Sequence, residues 1–164
     1  MRNTELREEI VIELEALETT TNELLALHRD VADHEPTVRE KTAAAAFLAQ
    51  FYNGVENILR RISHYHNVPL PAGETWHIEL FQRFSSVPHP DLPILFDDTL
   101  AADLAPYRRF RHVVFHGYGF QMDWARMSEG IIHVQDTFSR VKVSLTSYLQ
   151  TIEPTTGEHN DQSS

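Results

Sequence analysis

Residues 42–62, TAAAAFLAQFYNGVENILRRI, decide the fold. The alanines, leucine and glutamine give the first half high helix propensity. Leu48, Tyr52, Val55, Leu59 and Ile62 then recur at steps of three and four, which marks one buried stripe of a helix. The spacing predicts a helix from about Thr37 to His66, ended by the two prolines and the glycine of NVPLPAG at 67–73. The alanines at 43–46 are expected to let a neighbouring helix come close.

Outward from this segment the same period returns. Toward the N-terminus, Leu6, Ile10, Leu14, Leu17, Thr21, Leu24, His28 and Val31 predict a long amphipathic helix, with Asn3 or Thr4 as its cap and Glu8 and Glu9 near its positive end. DHEP at 33–36 interrupts it, because the residue before a proline avoids the helical region. Toward the C-terminus, WHIELFQRF at 76–84 reads as a short helix and SSVPHPDLP at 85–93 as a proline-rich loop that either binds substrate or covers the core. Leu100, Leu104, Tyr107, Phe110 and Val114 form another helical stripe that stops near Gly117 or Gly119, with Pro106 either kinking it or opening a new first turn. Ile131, Val134, Phe138, Val141, Leu145, Tyr148 and Ile152 place a last helix at about 122–152. No strand pattern and no internal repeat is present. The expected architecture is all-α: an antiparallel bundle of four main helices with one or two short extra helices. It occupies residues 1–153 as one domain, followed by a disordered polar tail at 154–164.

Composition narrows the function. A chain of 164 residues can bury a sizeable core, and it has no cysteine, so disulfides, thiolate nucleophiles and thiolate-held metals are out. No apolar run approaches the ~20 residues that cross a bilayer, and the charged N-terminus does not read as a signal peptide; the protein is expected to be soluble and cytoplasmic. A net charge of −10 argues against broad wrapping of nucleic acid. It leaves room for a small basic site, because screening confines charge effects to about 10 Å. Such a site is present: Arg108, Arg109, Arg111, His112 and His116 cluster.

That cluster, RFRHVVFHGY at 109–118, has two readings. Cations at a helix C-terminus suit the exposed carbonyls there, or the group is a compact acid/base site where a helix stops. On a straight helix Arg111 and His116 lie about 140° apart, so they meet only if the chain turns near Gly117 or a second subunit supplies one of them. His112 and His116 share a face. Ten histidines also invite a metal, but neither His64 and His66 nor His112 and His116 have a cysteine or well-placed carboxylate to complete a ligand set. His64 and His66 are read as polar residues at a helix end and His28 as a satisfied core-edge histidine. Tyr52, Glu56 and Asn57 are candidates to orient Arg111 or His116, although an exposed Glu56 paired with Arg60 four residues on fits as well. Arg60 and Arg61 either widen the basic patch or suit the second half of their helix.

Arg111-His-Val-Val-Phe-His116-Gly-Tyr118 matches R-x-x-x-x-H-x-Y, and the chain resembles the HepT branch of the HEPN superfamily. YRRFRHVVFHGYGF at 107–120 resembles that branch in its aromatic and basic flanks, AFLAQFYNGVENILRRI at 46–62 resembles its second helix, and the Trp-His at 76–77 recurs in relatives. The resemblance runs from the first helix to Ile152. It implies a HEPN-type four-helix bundle that dimerises so that both motifs border one cleft. It also implies a metal-independent endoribonuclease without a cofactor, the toxin of a type VII-like toxin–antitoxin pair. Its partner would be an MNT-type minimal nucleotidyltransferase antitoxin that silences it by moving AMP onto the motif tyrosine. By that resemblance Arg111 and His116 are catalytic and Tyr118 is the AMPylation position, with His112, Arg108, Tyr52 and Glu56 in support. Two alternatives belong to other classes: a non-catalytic HEPN helper that binds substrate or nucleotide for a nucleotidyltransferase, and a structural helical interaction protein.

Overall fold

The computed structural model describes residues 2–116 and 123–152 of the chain. It contains five helices: α1 (Arg2–Asp30), α2 (Val38–Tyr65), α3 (Trp76–Gln82), α4 (Asp98–Phe115) and α5 (Trp124–Ile152). Among the described residues there is no strand. Four long helices and one short one pack as a bundle, as the periodicity predicts. No helix in the described residues is long and apolar enough to cross a membrane. The expected tail and the bend after α4 lie outside the described residues.

Each helix buries the stripe its spacing specifies. Leu6, Ile10, Leu14, Leu17 and Leu24 of α1 meet Leu48, Tyr52, Val55, Leu59 and Ile62 of α2 in one core, which Ile131, Val134, Val141 and Leu145 of α5 complete. α1 and α2 run antiparallel, with Arg61 3.1 Å from Glu9 and 3.2 Å from Glu13. α1 and α5 are antiparallel too: His28 lies 3.0 Å from the Ser128 hydroxyl at one end, and Arg7 donates to the Leu149 carbonyl at 3.2 Å near the other. Pairs Tyr107–Gly130 and Asp103–Arg140 align α4 antiparallel to α5.

The helix ends differ from expectation in two places. α1 already begins at Arg2, so Asn3 and Thr4 do not cap it; Asn3 instead accepts from its neighbour's amide and donates to the Ile152 carbonyl. Glu5 therefore occupies the first turn, and Glu9 serves Arg61 instead. α2 is framed as predicted, by Thr37 and His66. Thr37 and Glu40 form a reciprocal capping box, each side chain satisfying the other's backbone N–H.

Two alternatives are resolved by packing. α4 runs unbroken through Pro106, with Asp97 capping its start by accepting from the Leu100 amide at 2.8 Å. The 85–93 loop covers the core: Leu92 is buried, and the following Leu95 and Phe96 donate to the Phe84 carbonyl at 3.0 and 3.2 Å. Of the alanines expected to admit a neighbouring helix, two are buried, and a further close contact falls at Gly54. Ala44 and Ala45 are buried but Ala46 is exposed, whereas a Cβ on Gly54 would stand 2.6 Å from Leu17 Cδ2.

Candidate active site

α4 is held by Leu104 and Tyr107, both buried, and Tyr107 donates its hydroxyl proton to the Gly130 carbonyl of α5 at 2.6 Å. Burial pushes the ionisation of this phenol up to about 12, so it remains a donor at neutral pH. The side chains flanking this anchor divide between two sides of the helix.

Arg108, Arg111 and Phe115 recur at steps of three and four on the side toward α2 and α3. Arg111 Nε donates to the Asn53 side-chain oxygen of α2, and its guanidinium lies 4.8 Å from the Phe115 ring centre. Arg108 lies 5.1 Å from the centre of the Phe81 ring on α3. Neither arginine pairs with a carboxylate among the described residues. Arginines laid on aromatic rings keep their forked donors available for an anion.

Tyr52 lies buried in α2 near these arginines, and its hydroxyl has no hydrogen-bond partner among the described residues. Burial and the Glu56 carboxylate push its ionisation well above the usual phenol range, while Arg108 and Arg111 act in the opposite direction. Glu56 is only 2% exposed. It accepts from His77 Nδ1 of α3 at 2.7 Å and lies 3.5 Å from Arg60. The expected role of Glu56 toward Arg111 or His116 is therefore corrected, and so is its exposed setting: the carboxylate is buried and turned to α3. The rings of His77 and Trp76 lie 3.6 Å apart, tilted by 32°, and Arg60 lies 4.6 Å from the Trp76 ring centre.

His116 caps the other side of α4. Its Nδ1 is 2.8 Å from the His112 carbonyl, so this nitrogen carries the proton, and the ring rests 3.9 Å from that of His112. A neutral ring then leaves Nε2 as an acceptor. The face shared by His112 and His116 is as expected. Arg109 and Val113 continue that side into a groove of about 740 Å³ between α4 and α5, where Arg126, His133 and Arg140 also stand. Arg140 bridges Asp103 and Asp136 there.

The predicted residues thus split. Arg108, Arg111, Tyr52 and Glu56 gather on the α2–α3 side, while His116, about 140° round α4 from Arg111, pairs with His112. Tyr118 and the turn after His116 lie outside the described residues. Asn57 is exposed and takes no part, whereas Asn53, which anchors Arg111, was missed. Its only signal was a polar residue beside buried Tyr52 on the stripe of α2. Arg61 serves α1, and Arg60 reaches toward Trp76. His28 and His66 are satisfied structural histidines, the latter 2.7 Å from the Tyr148 hydroxyl. Among the described residues no three histidines or carboxylates stand close enough together to hold a metal.

An all-α bundle whose fourth helix carries an arginine anchored to α2 and ends on a paired histidine defines the class. The family model of HepT-like proteins matches residues 43–152, and the chain belongs to the HepT-like protein family. The match spans most of α2 through the end of α5; α1 lies outside it, so the resemblance reaches less far toward the N-terminus than expected. No curated protein and no solved structure matches the chain.

Proposed function

We propose that this HepT-like protein is a metal-independent endoribonuclease, the toxin of a toxin–antitoxin pair. Membership of the HepT-like family carries the reading, and the Arg111 guanidinium, steadied by Asn53 and paired with no carboxylate among the described residues, supports it. RNA brings its own nucleophile, the ribose 2′-hydroxyl, so the enzyme has to grip the phosphate and move protons. Arg111 takes the phosphate oxygens through its fork, and the His116 imidazole handles a proton. The products are a 2′,3′-cyclic phosphate and a 5′-hydroxyl.

Arg111 and His116 lie about 140° apart on an ideal helix; in this reading two copies complete the site, with both α4 ends bordering a shared cleft. Phe115 is 60% exposed and Val113 39% exposed at this end, apolar surface that a second copy would cover. Tyr118, two residues beyond His116, is the acceptor for AMP from an MNT-type nucleotidyltransferase. The added phosphate and bulk would neutralise and block the cleft.

The test is cleavage of RNA by the purified protein in excess chelator. Arg111→Ala is expected to lower the rate by about 10²–10³-fold, the loss typical of removing one preorganised charge-stabilising donor. His116→Ala is expected to lose at least as much. Wild-type rates in both variants would remove Arg111 and His116 from the mechanism, and no cleavage by the wild-type protein would instead favour the helper reading, in which the bundle binds but does not cut.

A further inference from the structure

The side of α4 that carries Arg111 has a histidine of its own, and it is not in the motif. His77 stands on α3 with Nδ1 2.7 Å from Oε2 of Glu56, a carboxylate 2% exposed within α2. A buried carboxylate that holds the Nδ1 proton fixes the tautomer and leaves the lone pair on Nε2. The His77 side chain is 27% exposed. Four residues further along α3, Phe81 carries Arg108 and packs at 6.4 Å against Tyr52. The Tyr52 hydroxyl feels Glu56, Arg108 and Arg111 at once, and has no partner among the described residues. Arg60, whose Nε is likewise buried without a partner, closes the other end over Trp76. Of the charged groups here, Glu56 of α2 contacts His77 directly, while Arg60 of α2 lies over the neighbouring Trp76 and Arg108 of α4 over Phe81, one turn further along α3.

We propose that His77, positioned by Glu56, is a second proton-transfer residue of this enzyme, acting on the RNA phosphodiester held by Arg111. This rests on the nuclease reading and deepens it. His77 Nε2 takes the proton from the 2′-hydroxyl as the O2′–P bond forms. The P–O5′ bond breaks, and the departing 5′-oxygen takes its proton from a protonated imidazole, the role left to His116. One histidine gains a proton and the other loses one, and exchange with water restores both. Glu56 touches no substrate; it is a positioning residue.

The experiment measures single-turnover cleavage of an RNA oligonucleotide, and binding of the same sequence as uncleavable 2′-deoxy strand, for the full-length protein. His77→Ala should cut at least about 100-fold more slowly, the usual contribution of a positioned acid or base, while binding the deoxy strand within about threefold of wild type. His77→Asn keeps a donor for Glu56 but has no nitrogen that can take a proton. It should fold as wild type and lose as much activity as His77→Ala, which a merely structural histidine would not. Added imidazole should restore part of the His77→Ala rate, and Glu56→Gln should lower the rate without weakening binding. If His77→Ala and His77→Asn cut at near wild-type rates while Arg111→Ala and His116→Ala do not, the proposal is overturned and the nuclease reading stands. A loss in His77→Ala matched by lost binding overturns it as well. A wild-type protein that cuts no RNA removes both.

Discussion

His34 sits exposed in the turn between α1 and α2, with Nδ1 2.8 Å from Asp33 and Nε2 3.0 Å from Glu40. Both nitrogens can donate only as the imidazolium. The hydrogen bonds to Asp33 and Glu40 therefore raise the histidine above its ordinary 6.5, and the same contacts lower Asp33; Glu40 is lowered first by the Thr37 amide and then by His34. The sign follows from linkage. A raised histidine adds stability that is fully present below its unfolded value and fades as pH climbs through its folded one. Lowered carboxylates add stability above their unfolded values and lose it as pH falls through the folded ones. The clip is complete only between the carboxylate and imidazole ranges, roughly pH 4.5–6.5. In thermal melts, wild type should exceed His34→Gln at about pH 5.5, with the gap closing by about pH 8.5 as the imidazole deprotonates. A gap of equal size at both pH values would assign the effect to something other than this charge.

At the level of helices, the α1–α2 contact depends on one missing side chain. Leu17 is 1% exposed and its Cγ and Cδ2 lie 2.9 and 2.6 Å from where a Cβ on Gly54 would stand. Alanine gains about 1 kcal/mol in helix propensity over glycine, while forcing a core leucine aside costs typically 1–3 kcal/mol. Gly54→Ala is expected to destabilise by about 1 kcal/mol net and Gly54→Val by more, read from denaturant midpoints at unchanged slope. A stabilised Gly54→Ala would mean that Leu17 has a free rotamer. The helices themselves were legible in the sequence, because Leu48, Tyr52, Val55, Leu59 and Ile62 repeat a period that only a helix satisfies. What joins one helix to another was not. Gly54 sits inside a helical run, where a glycine signals only a propensity cost and not what presses against it. Arg111 and Asn53 are 58 residues apart and His77 and Glu56 are 21 apart across a proline-rich connection. Periodicity shows which face turns inward, but not which neighbour meets it. Glu56 was the clearest case: of its two readings the pair with Arg60 is present, but the carboxylate is buried and also holds His77 of α3, which no spacing announced.

For the whole molecule, the charge is −10 while the α2–α3 side of α4 holds arginines that lie on rings and not on carboxylates. On the proposed reading, an acidic protein with such a short basic face would take a short length of strand, stacked and gripped locally. The proposed pairing of two copies through the α4 end is tested by size in solution. Wild type should elute as a dimer, and Phe115→Asp, which puts a charge into the 60% exposed apolar position, should shift it toward monomer. A monomeric wild type would remove the shared cleft. One feature of α2 links this level to the first. Asn53, which steadies the Arg111 guanidinium, is the chain neighbour of Gly54, which touches Leu17. A single peptide unit thus separates a close contact of α1 with α2 from the anchor of Arg111. Whatever spreads α1 from α2 moves that anchor with it, so the grip on a phosphate would slacken while the helices themselves remain wound.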